Sequence, residues 1–189
     1  MQSIVVYCGA NKGNLPVFEQ AARETGTLLA QNNIKIVYGG GSVGLMGVLA
    51  DAALEHGGQI TGIITHQLNN LELGHPGVED MRVVETMSER RVHLLRDTDG
   101  VITMPGGYGS MDELFEALTL AQLDQYEKPI GLLNTNHYYD PLLLMLDNMV
   151  KYGFLKHDNR HLLLVADNPA ELLEKMRQFE PSGKVGKWL

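Results

Sequence analysis

The chain has 189 residues, 44% apolar and 20% charged, which suits one domain with a sizeable core and is too apolar for a disordered segment. Its 23 acidic and 15 basic side chains leave a net charge of −8, which excludes the broad basic face of a protein that coats DNA or RNA but not a few local groups that bind one small anion. A single cysteine, Cys8, excludes a disulfide framework and a cysteine-based zinc cage, and the longest apolar stretch, Ile36 to Leu54, carries five glycines and Asp51 and so cannot be a transmembrane helix.

The pattern alternates short β-branched runs with longer segments of helical period. Ser3 to Cys8 predicts a buried strand, and Leu15 to Gln31 an amphipathic helix with Val17, Phe18, Ala21, Ala22, Leu28 and Leu29 inward. Ile34 to Tyr38 predicts a second strand, then a glycine cluster and a helix from about Gly44 to His56. Gln59 to Thr65, Met81 to Glu85 and Val101 to Met104 predict three more strands, with a helix between the last two and another from about Ser110 to Leu123. Ile130 to Leu133, a helix around Pro141 to Tyr152, and Leu162 to Val165 continue the series. Asn168-Pro169 supplies an N-cap and a first-turn proline for a final helix. Near-continuous apolar strands alternating with helices imply a Rossmann-like, doubly wound α/β fold: a mostly parallel sheet with helices on both faces. We expect one domain over residues 1–180 and a loosely ordered tail over 181–189. Gln67 to Asp80 is the longest predicted loop. The N-terminal Met-Gln-Ser-Ile-Val-Val has no basic, apolar leader, so a cytoplasmic protein is expected, with neither membrane nor nucleic acid as partner.

In such a sheet ligands sit at the carboxyl ends of the strands, and four loops there stand out. Gly39-Gly40-Gly41, with Gly44 and Gly47 following, has dinucleotide spacing, but it follows the second strand, and the next strand ends in Thr65-His66 without the acid that would hold a ribose. NAD is therefore not expected. The loop suits a phosphate or a ribose hydroxyl, or else simply permits close helix packing. Pro105-Gly106-Gly107-Tyr108-Gly109-Ser110-Met111-Asp112-Glu113 turns from a strand into a helix. Ser110-x-x-Glu113 has the form of a capping box, while the glycines ahead of it have the form of an anion nest. Thr86-x-x-Glu89 is a second capping-box pattern, and Arg90 and Arg91 behind it oppose the helix dipole without visible compensation, a violation expected at functional sites. The fourth loop holds Glu72 and His75. Two histidines at the spacing of His66 and His75 do not make a metal site, and no metal is expected.

Glu89-Arg90-Arg91, the run Pro105 to Glu113, and Ala117-Leu-Thr-Leu-Ala-Gln-Leu123 together resemble the LOG family, the cytokinin riboside 5′-monophosphate phosphoribohydrolases, which are often labelled lysine decarboxylases. Tyr38-Gly-Gly-Gly, Gly44-Leu-Met-Gly47, Lys128 to Asn134 and Tyr138-Tyr139 extend the resemblance over nearly the whole chain. It implies a Rossmann-like fold without a dinucleotide or other cofactor. It also implies a homodimer with the active site near the interface, and hydrolysis of the N-glycosidic bond of AMP or N6-substituted AMP to free base and ribose 5-phosphate. Carried over, Arg90 and Glu113 are the catalytic pair, and Gly107 to Ser110 hold the phosphate. Glu72, Arg91 and Thr119 complete the substrate site, and Gly39, Gly40, Gly41, Gly106, Met111 and Asp112 are also expected to bind substrate. Arg91 stands where the family often has Lys, and Ser110 where it has Thr.

The chemistry agrees with the residue types. Glycosidic cleavage passes through an oxocarbenium-like state, which a carboxylate stabilises while taking a proton from the attacking water. A guanidinium stabilises charge on the departing purine or on the phosphate. The alternative is a carrier of the same fold that binds a nucleotide or pterin-like cofactor without cleaving it. A decarboxylase would need pyridoxal phosphate on a buried lysine, and Lys12, after the first strand, is the one to test.

Overall fold

The computed structural model describes residues 1–71 and 73–181. These form a seven-stranded sheet: β1 (Ser3–Tyr7), β2 (Lys35–Tyr38), β3 (Ile60–Thr65), β4 (Asp80–Val84), β5 (Val101–Thr103), β6 (Ile130–Leu133) and β7 (Leu163–Ala166). Every pairing is parallel, in the order β4-β3-β2-β1-β5-β6-β7. The helices are α1 (Pro16–Gln31), α2 (Gly44–Glu55), α3 (His66–Asn70), α4 (Met87–Arg96), α5 (Tyr108–Gln122), α6 (Asp140–Lys151), α7 (His157–Arg160) and α8 (Pro169–Arg177).

Alternate residues of each strand feed two cores. Ile4 and Val6 of the first strand, with Cys8 just after it, pack with α1, α2 and α8, whereas Val5 and Tyr7 pack with α4, α5 and α6. Both faces of the central strands are therefore dry, which is why these strands read as unbroken apolar runs. The chain starts at the centre, winds outward to β4, and returns to lay β5 against the other side of β1. Such a reversal opens a crevice at the carboxyl ends of the two central strands.

Element ends fall within a residue or two of the expected ones, and three expectations need correction. The stretch from Gln67 to Asp80 is not one open loop. It begins with α3, whose N-terminus is capped by Thr65 Oγ1 accepting from the Leu68 N–H at 3.3 Å, and it is pinned by an antiparallel bridge between Gly41 and Gly74. Helix α5 begins at Tyr108 with Gly107 as N-cap and no side-chain cap, so Ser110 and Glu113 lie inside the helix and do not form a capping box. A 3₁₀ turn (Thr135–His137) and α7 add helical turns that the spacing does not reveal. The tail from residue 182 onward lies outside the described residues.

Candidate active site

The crevice is a cavity of about 500 Å³. Its walls are the loop after β1 (Gly9 to Gly13), Gly39 after β2, Leu45 and Met46 of α2, the turn from Pro105 into α5, and Tyr138; Arg90 and Glu113 also line it.

Arg90 enters from α4. Thr86 caps that helix by accepting from the Glu89 N–H at 3.1 Å, and the Glu89 carboxylate reaches the Glu85 N–H at 3.0 Å rather than that of Thr86. This start turns the Arg90 side chain inward, where the residue is only 7% exposed. Its Nε donates to the Ile63 carbonyl at 2.8 Å, one Nη to the Gly39 carbonyl at 3.1 Å, and the other Nη to Glu113 Oε1 at 3.2 Å. A buried guanidinium is tolerable only with such partners. Gly39 also makes room for it, since a Cβ there would lie 2.2 Å from the Arg90 nitrogen.

Glu113 lies in the second turn of α5. Burial pushes its carboxyl up to about 7; the Arg90 guanidinium opposes that shift, and Asp112 and Glu116 add to it. A carboxyl balanced near neutrality can take or give a proton at physiological pH. Tyr7 shares the cavity, and burial together with the Glu113 charge keeps its phenol protonated.

The two glycine loops differ in what their backbone N–H groups do. At α2 the Leu45 N–H is taken by the Gly9 carbonyl at 3.0 Å and the Ser42 N–H by the Leu73 carbonyl at 2.8 Å. Gly44 there has φ of +65° and its α-carbon backs onto Ala10, so that glycine serves packing. Gly40 and Gly41 hold the following loop, through the His75 N–H to the Gly40 carbonyl at 2.9 Å and the Gly41–Gly74 bridge. At α5, by contrast, a Cβ on Gly107 or Gly109 would meet nothing within 4 Å. The absence of side chains there leaves the first-turn N–H groups, which lack intrahelical partners, open to a ligand.

The remaining expected residues are spread more widely. Ser110 is buried beside Gly106, and Tyr108 lines the cavity mouth fully exposed. Met111 packs against the α4–α6 core. Arg91 points outward to Asp112 at 2.7 Å and Glu116 at 3.4 Å. Thr119 donates to the Phe115 carbonyl and lines a second cavity of about 250 Å³, between α5, α6 and α7. Glu72 lies outside the described residues. The loop after β1 forms one whole wall yet carries no motif. The signal available was its position: it follows the central strand at the point where strand order reverses.

Three comparisons bear on this site. The family model described as "Possible lysine decarboxylase" matches residues 46–176. A probable cytokinin riboside 5′-monophosphate phosphoribohydrolase of Oryza sativa subsp. japonica is 44% identical over 179 residues, covering 95% of this chain and 80% of that protein. An Arabidopsis thaliana protein named cytokinin riboside 5′-monophosphate phosphoribohydrolase is 39% identical over 178 residues, covering 94% and 84%. The chain belongs to the LOG family. Among solved structures, the molybdenum cofactor binding protein of Rippkaea orientalis (TM-score 0.70, 21% identity, covering 94% of this chain and 97% of that one) shares the LOG chain's fold. So does the molybdenum cofactor carrier protein of Chlamydomonas reinhardtii (TM-score 0.71, 19% identity, 94% and 96%). The decarboxylase description fits the residues poorly. Lys12 is ion-paired to Glu19 at 3.1 Å with its side chain 53% exposed, unlike the desolvated amine that Schiff-base chemistry requires.

Proposed function

We propose that this LOG chain hydrolyses the N-glycosidic bond of AMP or N6-substituted AMP, releasing the free base and ribose 5-phosphate. The observation that carries it is a carboxyl near neutrality, Glu113, held against a buried Arg90 in a cavity that the open N-terminus of Glu113's own helix also lines. The phosphate sits on the N–H groups of Gly107 to Ser110. Ionised Glu113 takes a proton from water as the water oxygen bonds to the sugar C1′; the C1′–N bond breaks, the base leaves with its electron pair, and that proton passes from Glu113 through water to the base, which leaves Glu113 ionised again. Arg90 orients Glu113 and stabilises negative charge as the base departs. This chemistry calls for neither a metal nor an organic cofactor. Names of the LOG relatives supply the substrate class.

The active form in this proposal is a homodimer in the cytoplasm, where nucleotides are at hand and the one thiol, Cys8, stays reduced. Arg91, Asp112 and Thr119 lie on the outward side of α4 and α5, and a second copy docking there brings them to the rim of a substrate site. Glu72 is assigned to the same site by its place in the LOG pattern. A carrier of the same fold is the second possibility, favoured only by the fold shared with the molybdenum cofactor binding and carrier proteins. Chromatography of products after incubation with AMP and, separately, with isopentenyladenosine monophosphate decides between them. Free base and ribose 5-phosphate support hydrolysis; intact nucleotide with saturable binding supports the carrier.

A further inference from the structure

Three successive carbonyls lead into the open start of α5, and each is held. The Met104 carbonyl accepts from the Tyr139 hydroxyl at 2.7 Å, the Pro105 carbonyl from the Gly9 N–H at 3.0 Å, and the Gly106 carbonyl from the Tyr138 hydroxyl at 2.8 Å. A trans peptide points its N–H opposite to its carbonyl. Fixing the Gly106 carbonyl therefore aims the Gly107 N–H, the first donor of the turn assigned to phosphate. The two tyrosines do this in different surroundings. Tyr139 is buried, whereas Tyr138 is 44% exposed and lines the cavity.

Tyr138 is itself set with care. Its ring meets Phe18 edge-on at 5.8 Å and Tyr139 edge-on at 4.8 Å, so two aromatic neighbours hold it. The turn before it places Asn136 and His137 in left-handed backbone, with φ of 53° and 58°. Two consecutive non-glycine residues in that region are strained, and such strain persists only where surrounding contacts impose it. Asn134 imposes it here, accepting the Tyr139 N–H at 2.7 Å and donating to Asp140 at 2.8 Å. We propose that Tyr138 is a positioning residue: its hydroxyl holds the Gly106–Gly107 peptide in the orientation that binds the substrate's phosphate. This rests on the proposed role of Gly107 to Ser110 as the phosphate turn.

Tyr138→Phe removes only the hydroxyl. We expect the dissociation constant for inorganic phosphate, measured by calorimetry, and the KM for AMP each to rise about tenfold, the size of one well-placed hydrogen bond. We expect kcat to stay within about threefold, affinity for adenosine to stay the same, and Tm to move little, with an altered Gly107 amide resonance. A phosphate affinity and KM within twofold of the parent overturn the proposal, as does an equal loss for adenosine, which marks general damage to the site. If the parent binds phosphate, the variant binds it more weakly and neither cleaves AMP, the positioning role stands while hydrolysis falls. If the parent binds no phosphate, both fall.

Discussion

Two neighbouring arginines on α4 each meet an acid on α5, and the two pairs have opposite characters. Arg91 and Asp112 lie 2.7 Å apart with side chains 29% and 58% exposed; Arg90 and Glu113 lie 3.2 Å apart but are only 9% and 12% exposed. The shorter contact is the less consequential one. In water the outer pair gains little and is screened, while the inner pair sits where charge is costly and the Arg90 guanidinium works against the burial that raises the Glu113 carboxyl. Asp112 raises the inner carboxyl's pKa further, so the outer acid also tunes the inner pair. The difference is set by which side of α4 and α5 each residue occupies, one position apart in sequence.

The largest expected effect comes from the inner pair. Glu113→Gln keeps the shape but removes the base, and kcat for AMP hydrolysis should fall by roughly 10²–10⁴-fold with the fold intact. A folded variant with full activity breaks the contrast between the pairs. Next is Gly39→Ala, which intrudes on the Arg90 guanidinium. We expect a loss of stability of about 1–3 kcal/mol by denaturant unfolding, with a fall in kcat of about tenfold or more, because Arg90 must shift and take Glu113 with it.

The pH dependence sharpens the same point. Since burial holds Glu113 at about 7, turnover by the ionised carboxylate should drop about tenfold per unit on the acid side of pH 7 and level off above it. Stability runs the other way. A raised carboxyl pKa favours the protonated folded form, so this contribution is complete below the ordinary value of 4.5 and is lost as pH rises through about 7. Glu113→Gln should therefore show a flatter dependence of Tm on pH over that window than the parent; identical slopes count against the assignment. The smallest effect is that of Arg91→Ala, which should change stability by less than about 1 kcal/mol. Any loss of activity it causes should fall on KM rather than kcat, measured by initial rates.

Much of the fold was legible because it rests on local pattern. The β-branched runs become strands of a parallel sheet, and Asn168-Pro169 starts α8, with Asn168 accepting the Glu171 N–H at 2.9 Å. What was not legible depends on partners far away in sequence. Ser110-x-x-Glu113 has the letters of a capping box, but Gly107 starts the helix without a side-chain cap, and Glu113 turns inward to meet an arginine 23 residues earlier. Gly39 stands in a motif that suggests a ligand loop. It does line the cavity, but its carbonyl and its bare α-carbon also receive Arg90, 51 residues later, which the motif does not reveal. The wall formed by Gly9 to Gly13 has no chemical signature, and only the reversal of strand order places it at the site.

That reversal has a consequence for the chain as a whole. Val5 pairs with Val101 across the centre of the sheet, so the crevice is a seam between an early and a late stretch of sequence. Arg90 lies before the seam's second strand and Glu113 after it, and neither stretch alone holds both. Cut between α4 and β5, the chain would yield two inert pieces, and activity regained on mixing them would count the molecules in which the central strands have zipped together.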